Sequence, residues 1–423
     1  MPVAPTFSTL RERIAGIPAA ELADQFGTPC YLYDAAKIRE RIADLRAFDV
    51  IRYAQKACSN LAILDLVRRS GVLVDAVSAG EVRRALAAGY PAHGDPPPIV
   101  YTADIFDAES LDLVTRLGIH ANVGSPDMID QLAARAPGSH ITLRINPGFG
   151  HGHSQKTNTG GPQSKHGIWH AELGECLRRA DRGGLRVTGL HMHIGSGTDM
   201  EHLAQVCGAM EHAAADAGSS LTAISAGGGL PIPYREGETY VDLAAYFGLW
   251  DATRRRLEDK LGRRLRLEIE PGRYLVAESG YLLTRIAAVK QMGENTFYLV
   301  DAGFNNLARP ILYGAYHPMS IVPLDATPRA EQPVVVGGPL CESGDIFTQD
   351  AGGVVSARRL PAAKVGELLV IECAGAYGFG MGSNYNSKPL AAEALVDGGR
   401  AELIRRRQTF DDLVAGERIP ARG

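Results

Sequence analysis

"VIRYAQKACSN" (residues 50–60) places one lysine, Lys56, at the end of an apolar run and ahead of small polar residues. A lysine just past a buried strand is either a surface charge whose stem snorkels along apolar neighbours or a group placed there to react. The rhythm of this stretch then repeats. From about residue 45 to 275, short apolar runs ending in small or polar residues alternate with segments of helical period. The runs are "VIRYAQKA", "VLVDAVSA", "IVYTAD", "HANVGS", "ITLRINPG", "VTGLHMHIGS", "TAISAGGG" and "LRLEIEPG". Between them lie amphipathic stretches such as "NLAILDLVRRSG", "GEVRRALAAGY", "DAESLDLVTRLG" and "MEHLAQVCGAMEHAAADAG". Strands alternating with helices at this spacing indicate βαβ units and a parallel sheet. Eight of them predict a closed (β/α)8 TIM-like barrel over residues 33–275 rather than a doubly wound open sheet.

After residue 275 the character changes. "YLLTRIAAVKQM", "TFYLVDAG", "PVVVGGPL" and "GELLVIECAGAY" read as strands joined by turns, so residues 276–423 are expected to form a C-terminal β-rich domain, a barrel or sandwich. Residues 1–32 are expected to pack with it, because "CYLYD" (30–34) is itself strand-like and could pair there.

Composition narrows the class. Hydrophobic residues make up 45% and charged residues 22%, with a formal net charge of −4, as in globular proteins rather than disordered or nucleic-acid-binding chains. Six cysteines are scattered with no C-x-x-C pair, which suggests a reducing compartment. No apolar stretch is long enough to span a bilayer, and "MPVAPTFSTLRERIAG" lacks the apolar centre of a signal peptide. The expectation is a cytoplasmic enzyme with a small-molecule substrate and no nucleic acid or membrane partner.

A barrel predicts chemistry where its strands end. Lys56 closes the first run, Asp75 and Ser78 lie in the second, Arg144 and Asn146 end the fifth, and His191 and His193 the sixth. Gly227–Gly229 end the seventh and Glu270 the eighth. In "LRLEIE" (265–270), Arg266, Glu268 and Glu270 share one face of the strand, opposite Leu265, Leu267 and Ile269. Glu270 is thus expected to point into the barrel near its mouth, where a buried carboxylate calls for a cationic partner.

Three loops suit an anion. "SAGGGL" (225–230) lets backbone N–H groups approach closely, "HIGSG" (193–197) offers Ser196 between glycines, and "EPGR" (270–273) offers Gly272 with Arg273. A tight turn uses the same residues, but three such loops on neighbouring strands suggest one bound phosphate. No GxGxxG fingerprint joins a strand to a helix, which disfavours a dinucleotide. The histidines of "HMHIG" (191–195) and "HGH" (151–153) lack a carboxylate at a spacing that would complete a zinc site, so no metal is expected. One of these imidazoles is better suited to stacking on an aromatic ring. A reactive lysine, a phosphate site, a stacking imidazole and a buried carboxylate converge on pyridoxal 5′-phosphate, whose protonated ring acts as an electron sink.

With these residues assembled, the chain resembles the fold type III, group IV pyridoxal-phosphate-dependent decarboxylases, and among them those that act on diaminopimelate. The likeness runs over most of the chain: "YAQKACSN", "VDAVSAGEVRRALAAGY", "LRINPGFGHGHSQKTNTGG", "HMHIGSG", "SAGGGL", "EIEPGR", "DAGFNNLARPILYGAYH", "GPLCESGDIF" and "GAYGFGMGSNYNS" occur in order. The resemblance implies a barrel plus C-terminal β domain, and a homodimer with sites shared across its interface. It implies that Lys56 anchors the cofactor as a Schiff base and that His193 stacks on the ring. Asp75 falls among the cofactor-binding residues. Ser196, Gly229, Gly272, Arg273 and Tyr377 would surround the phosphate, with Glu270 at the ring nitrogen. Cys341, from the partner subunit, would return a proton to the substrate.

The same resemblance gives Arg309, Tyr313, Arg273 and Tyr377 to the far end of the substrate, with Glu342 for its distal ammonium. A second carboxylate suits a guanidinium grip, whereas a decarboxylase for D-lysine or D-ornithine, the alternative, needs no arginine there. The expected reaction is decarboxylation of meso-2,6-diaminopimelate at its D-centre to give L-lysine and carbon dioxide. The His151–Gly161 segment, rich in glycine and polar residues, suits a mobile lid.

Overall fold

A computed structural model describes residues 5–150, 159–193, 195 and 199–420. The chain divides into two compact units. One comprises the described residues of Arg39–Ile232 together with Tyr240–Leu275. The other comprises the segment up to Ile38, Pro233–Thr239 and the chain from Val276 onward.

The first unit is a closed barrel of eight parallel strands. After β1 (Cys30–Asp34), which belongs to the other unit, come β2 (Val50–Ala54), β3 (Leu73–Ala76), β4 (Ile99–Ala103) and β5 (His120–Val123). They are followed by β6 (His140–Asn146), β7 (Arg186–His191), β8 (Ala223–Ser225) and β9 (Arg266–Ile269). Each pairs with the next, and β9 closes on β2 through Glu268 opposite Val50 and Ile269 opposite Ile51. All eight expected runs form strands.

The helices between them start where the sequence supplies caps. Asn60, Ser78, Asp107, Ser125, Asp199 and Asp242 each accept a hydrogen bond from a backbone N–H of the first turn that follows. Each such cap contributes about 1 kcal/mol and ends its βα loop at a defined residue. The apolar faces of these helices, including Ile63, Val67, Val82, Leu113, Ile129, Met210 and Trp250, are buried, as are the strand residues Ile141, Leu143, Ile224, Leu267 and Ile269. The apolar core of this unit therefore lies outside the barrel wall, between strands and helices.

Inside the wall several residues are polar. Arg52 is 2% exposed and donates from Nε to Glu268 Oε2 over 2.6 Å. Asn122 and Ser225 are also buried. Barrels of this kind are usually filled by branched apolar side chains, so this interior departs from the common pattern.

The second unit is a β structure. Its strands are β10 (Gly280–Met292), β11 (Asn295–Val300), β12 (Met319–Val322), β13 (Glu331–Gly337), β14 (Arg358–Pro361), β15 (Leu368–Ile371), β16 (Ala392–Asp397) and β17 (Arg400–Arg405). The main path runs β14-β13-β11-β10-β1-β16-β17, and β15 joins β10 to β12. The "CYLYD" strand β1 is central to it, antiparallel to β10 on one side and parallel to β16 on the other. Ile14, Leu22, Leu32, Leu283, Val370 and Ala394 form its core.

Two boundaries differ from the sequence expectation. The N-terminal segment of this unit extends to Ile38 rather than 32, because β1 continues to Asp34, whose carboxylate then accepts from Ala36 N over 2.8 Å. Pro233–Thr239, expected within the barrel, also belongs here, where Tyr234 packs on Arg309 and His317. No described helix is long and apolar enough to cross a membrane.

Candidate active site

Parallel strands in a closed barrel bring all their C-terminal ends to one mouth. Lys56 stands in a 3-10 turn, Gln55–Ala57, directly after β2. That turn is pinned on three sides. Gln55 Nε2 donates to the Glu81 carbonyl (3.1 Å), Tyr53 Oη donates to the Cys58 carbonyl (2.9 Å), and Ala54 N donates to the Pro271 carbonyl (3.1 Å). The ammonium is exposed and faces the charges of Asp75 and Glu81.

Glu270 follows β9 and is buried, as the alternation of "LRLEIE" predicts. His191, at the end of β7, donates from Nε2 to its Oε2 over 2.8 Å, and Ser225, at the end of β8, donates from Oγ to its Oε1 over 2.9 Å. Burial alone would raise the Glu270 carboxyl. The neighbouring His191, the two hydrogen bonds and the Arg52 charge outweigh it and hold the group below the usual carboxylate range. The imidazole partner and Ser225 were not assigned by sequence reasoning, although His191 lies on the same strand face as His193.

Asp75, on β3, behaves oppositely. Burial first, and then the Glu270 charge, push it up to about 6, against a hydrogen bond from Thr102 and the charges of Lys56 and His191. Its Oδ1 has no hydrogen-bond partner among the described residues. Arg144, buried at the end of β6, faces the charges of Asp104, Glu270 and Asp75. His193 lies two residues past β7; burial, then the charges of Arg144, Lys56 and His191, hold its imidazole well below its ordinary pKa and therefore neutral.

The glycine run after β8 is required by close backbone approach. A Cβ on Gly228 would lie 2.5 Å from the Glu270 carbonyl oxygen, and one on Gly227 2.6 Å from that of Met192. Gly229 has φ +97°, and a side chain there would collide with the Gly195 carbonyl. Gly272 and Arg273 follow Glu270 and Pro271, with Gly272 against Ala54. Ser196, expected beside this run, lies outside the described residues, as do His151 and His153. Of the expected lid only the base is described: Asn146 accepts from Gly148 N and Gly161 N (3.1 and 2.9 Å) and donates to the Gly161 and His166 carbonyls (3.1 and 3.2 Å). Among the described residues no cluster of three or more His, Cys, Asp or Glu could hold a metal ion.

The remaining expected residues lie in the β unit. Arg309 and Tyr313 bound the short helix Arg309–Tyr313. Arg309 is 6% exposed; its Nη1 donates to His317 Nε2 (2.9 Å) and Tyr234 Oη (3.2 Å), and His317 Nδ1 donates in turn to the Glu372 carbonyl (2.9 Å). Cys341 and Glu342 are exposed in the turn after β13. Asp345 holds that turn, accepting from Leu340 N and Phe304 N (2.8 and 2.7 Å), and Cys341 N donates to Asn386 Oδ1 (2.8 Å). Tyr377 is half-buried with φ +57°, a left-handed conformation unusual for a side-chain-bearing residue. Sequence reasoning missed His317 and Asp345 as supports, since each acts on its neighbour only through the fold.

The family described as "Pyridoxal-dependent decarboxylase, pyridoxal binding domain" matches residues 35–277. The chain is 56% identical over 403 residues to diaminopimelate decarboxylase of Streptomyces coelicolor, covering 95% of this chain and 92% of the relative. It superposes on a crystal structure of diaminopimelate decarboxylase with TM-score 0.93 at 53% identity, covering 97% of this chain and 99% of that one. The Helicobacter pylori diaminopimelate decarboxylase, solved in complex with L-lysine, matches with TM-score 0.82 at 33% identity over 94% of this chain and 98% of that one. The chain thus belongs to the pyridoxal-dependent decarboxylases and, within them, to the diaminopimelate decarboxylase family.

Proposed function

We propose that this protein decarboxylates meso-2,6-diaminopimelate at its D-centre, giving L-lysine and carbon dioxide, with pyridoxal 5′-phosphate as cofactor. The observation that carries the reading is Glu270, a buried carboxylate kept ionised by His191 and Ser225 at the barrel mouth that displays Lys56. The residues fit the cofactor. Asp75 Oδ1 and His191 Nδ1 are buried without hydrogen-bond partners among the described residues, and Gly227–Gly229 carry no side chains at the barrel mouth. In this reading Lys56 is the covalent anchor and the neutral His193 supports the ring face. Gly229, Gly272, Arg273, Tyr377 and Ser196 take the phosphate.

When bound, pyridoxal phosphate supplies an electron sink for the pair left on Cα as the carboxylate departs. The chain's own groups do the rest. Ionised Glu270 favours a proton on the ring nitrogen, which deepens that sink. Arg309, Arg273, Tyr313 and Tyr377 orient the distal carboxylate, and Glu342 the distal ammonium. Cys341 delivers its thiol proton to Cα after carbon dioxide leaves. Placement of Cys341 in a neighbouring subunit's site makes the active form a homodimer. Six free cysteines support a reducing, cytoplasmic location.

A decarboxylase for D-lysine or D-ornithine is not favoured, since the relatives named above are diaminopimelate decarboxylases. The test is lysine and carbon dioxide release from meso-diaminopimelate by purified protein, with D-lysine and D-ornithine in parallel. Turnover confined to diaminopimelate is the expected result; turnover of the simpler amino acids instead would overturn the assignment of the substrate end.

A further inference from the structure

The end of the barrel opposite Lys56 is hollow. A cavity of about 780 Å³ is lined by the N-terminal ends of the strands and reaches inward to Ser225 and Glu270. It exists because inward positions carry small or polar residues, Asn122, Thr142, Gly189 and Ala223, where branched apolar side chains would fill a barrel of this kind. At Gly189 the wall is closed by its neighbour, since a Cβ there would collide with Thr142 Oγ1. The volume is that of a small-molecule site.

Four arginines and three carboxylates, Asp95, Glu268 and Glu270, line this cavity, which leaves one guanidinium charge in excess. Arg52 is answered by Glu268 at 2.6 Å, and Arg266 by Asp95 at 2.7 Å. At the rim, Arg186 and Arg263 are exposed and have no carboxylate within ion-pair distance among the described residues. Deeper in, the buried Arg266 Nε has no hydrogen-bond partner among the described residues and lies 3.7 Å from Glu268 Oε1. His120 registers the same field, because burial first, and then the charges of Arg52, His140 and Arg266, push its imidazole down to about 3. Two exposed guanidiniums without carboxylate partners, at the mouth of a cavity of this size, favour an incoming anion, and most strongly one that can accept several hydrogen bonds.

We propose that this lower cavity binds a compact polyvalent anion, a phosphate or a small polycarboxylate, with Arg186 and Arg263 as its charged lips. The lips of the cavity, Arg186 and Arg263, take no part in the assigned decarboxylation, although its inner end reaches Ser225 and Glu270, and the inference stands whether or not that assignment is right.

The experiment is calorimetric titration of inorganic phosphate, and separately of citrate, into cofactor-loaded protein desalted to remove free pyridoxal phosphate, which is itself a phosphate and would compete. Saturable binding of at least one anion is expected, weakened about tenfold or more in the Arg186→Ala/Arg263→Ala double variant, since each lip removes a charge-assisted contact. The tighter of the two anions assigns the class, phosphate or carboxylate. Added sodium chloride should weaken binding, as it screens an open cationic mouth. The single charge reversal Arg186→Glu serves the same purpose should the double variant not fold, with melting temperature and cofactor absorbance reporting integrity. Absence of saturable binding to both anions, or binding that the variants leave unchanged, would overturn the proposal.

Discussion

His191 and Glu270 share a 2.8 Å hydrogen bond across the barrel mouth, and Ser225 takes the other oxygen of the same carboxylate. Both oxygens therefore have donors on the chain itself, and the carboxyl stays below its usual range although burial alone would raise it. Glu270→Gln keeps the shape and removes the charge, so kcat should fall about a hundredfold or more, the scale of losing one preorganised electrostatic group. His191→Leu leaves burial without its main counterweight and should move the acid limb of the pH–rate profile upward. Steady-state rates between pH 5 and 9 check both; an unmoved acid limb would remove His191 from this role.

Asp75 and Glu270 have opposite linkage to stability. Glu270, depressed in the folded state, contributes stability above its ordinary pKa that is lost as pH falls toward the folded value. Asp75, raised to about 6, is destabilising when ionised, and that penalty disappears as pH falls through 6 toward its ordinary value. Asp75→Asn should consequently raise the melting temperature of the cofactor-free protein more at pH 8 than at pH 5. Thermal melts at the two pH values decide it, and an equal gain at both would show that Asp75 is not the titrating group.

The Arg52–Glu268 pair spans β2 and β9, the seam where the barrel closes. Arg52→Met strands a buried carboxylate, a change that typically destabilises by about 3–5 kcal/mol. Arg266, 3.7 Å from Glu268, offsets part of that loss, so the lower end of the range is expected. Adding Glu268→Leu should restore most of the stability, because two apolar residues of similar volume replace a desolvated pair. Urea unfolding of both single variants and the double variant measures the coupling directly.

Arg309 gives one guanidinium nitrogen to His317 and Tyr234, and His317 is oriented by the Glu372 carbonyl. With Nδ1 donating, Nε2 must accept, which fixes a neutral imidazole as the support for Arg309. His317→Phe keeps the bulk and removes the acceptor. KM for diaminopimelate should rise about tenfold with kcat nearly unchanged, the pattern of lost binding rather than lost chemistry. A fall in kcat at constant KM would instead place His317 close to the reacting bond.

Much of this was legible in the sequence for a definite reason. Strand alternation alone sends Glu270 inward, and a chain of βα units alone brings Lys56, Asp75, His193 and Gly229 to one rim. What alternation does not carry is register. The partnership of Arg52 with Glu268 joins residues 216 positions apart and depends on which rungs of β2 and β9 meet at closure. The choice of His191 rather than His193 as the partner of Glu270 is of the same kind, since both lie on one strand face and only the pairing of β7 with β8 distinguishes them. Asp345 was hidden differently: it serves backbone N–H groups on either side of its turn, and no residue type announces that task.

The central place of β1 has a consequence for the order in which the molecule can be made. The barrel unit ends at Leu275 and can close while the ribosome is still translating the β unit. β1 leaves the ribosome first, yet its partners β10 and β16 come later, the second about 360 residues after it. At typical synthesis rates one edge of that apolar strand waits roughly twenty to seventy seconds for its partner. Over that interval "CYLYD" has an open edge in need of protection, even after the barrel has formed.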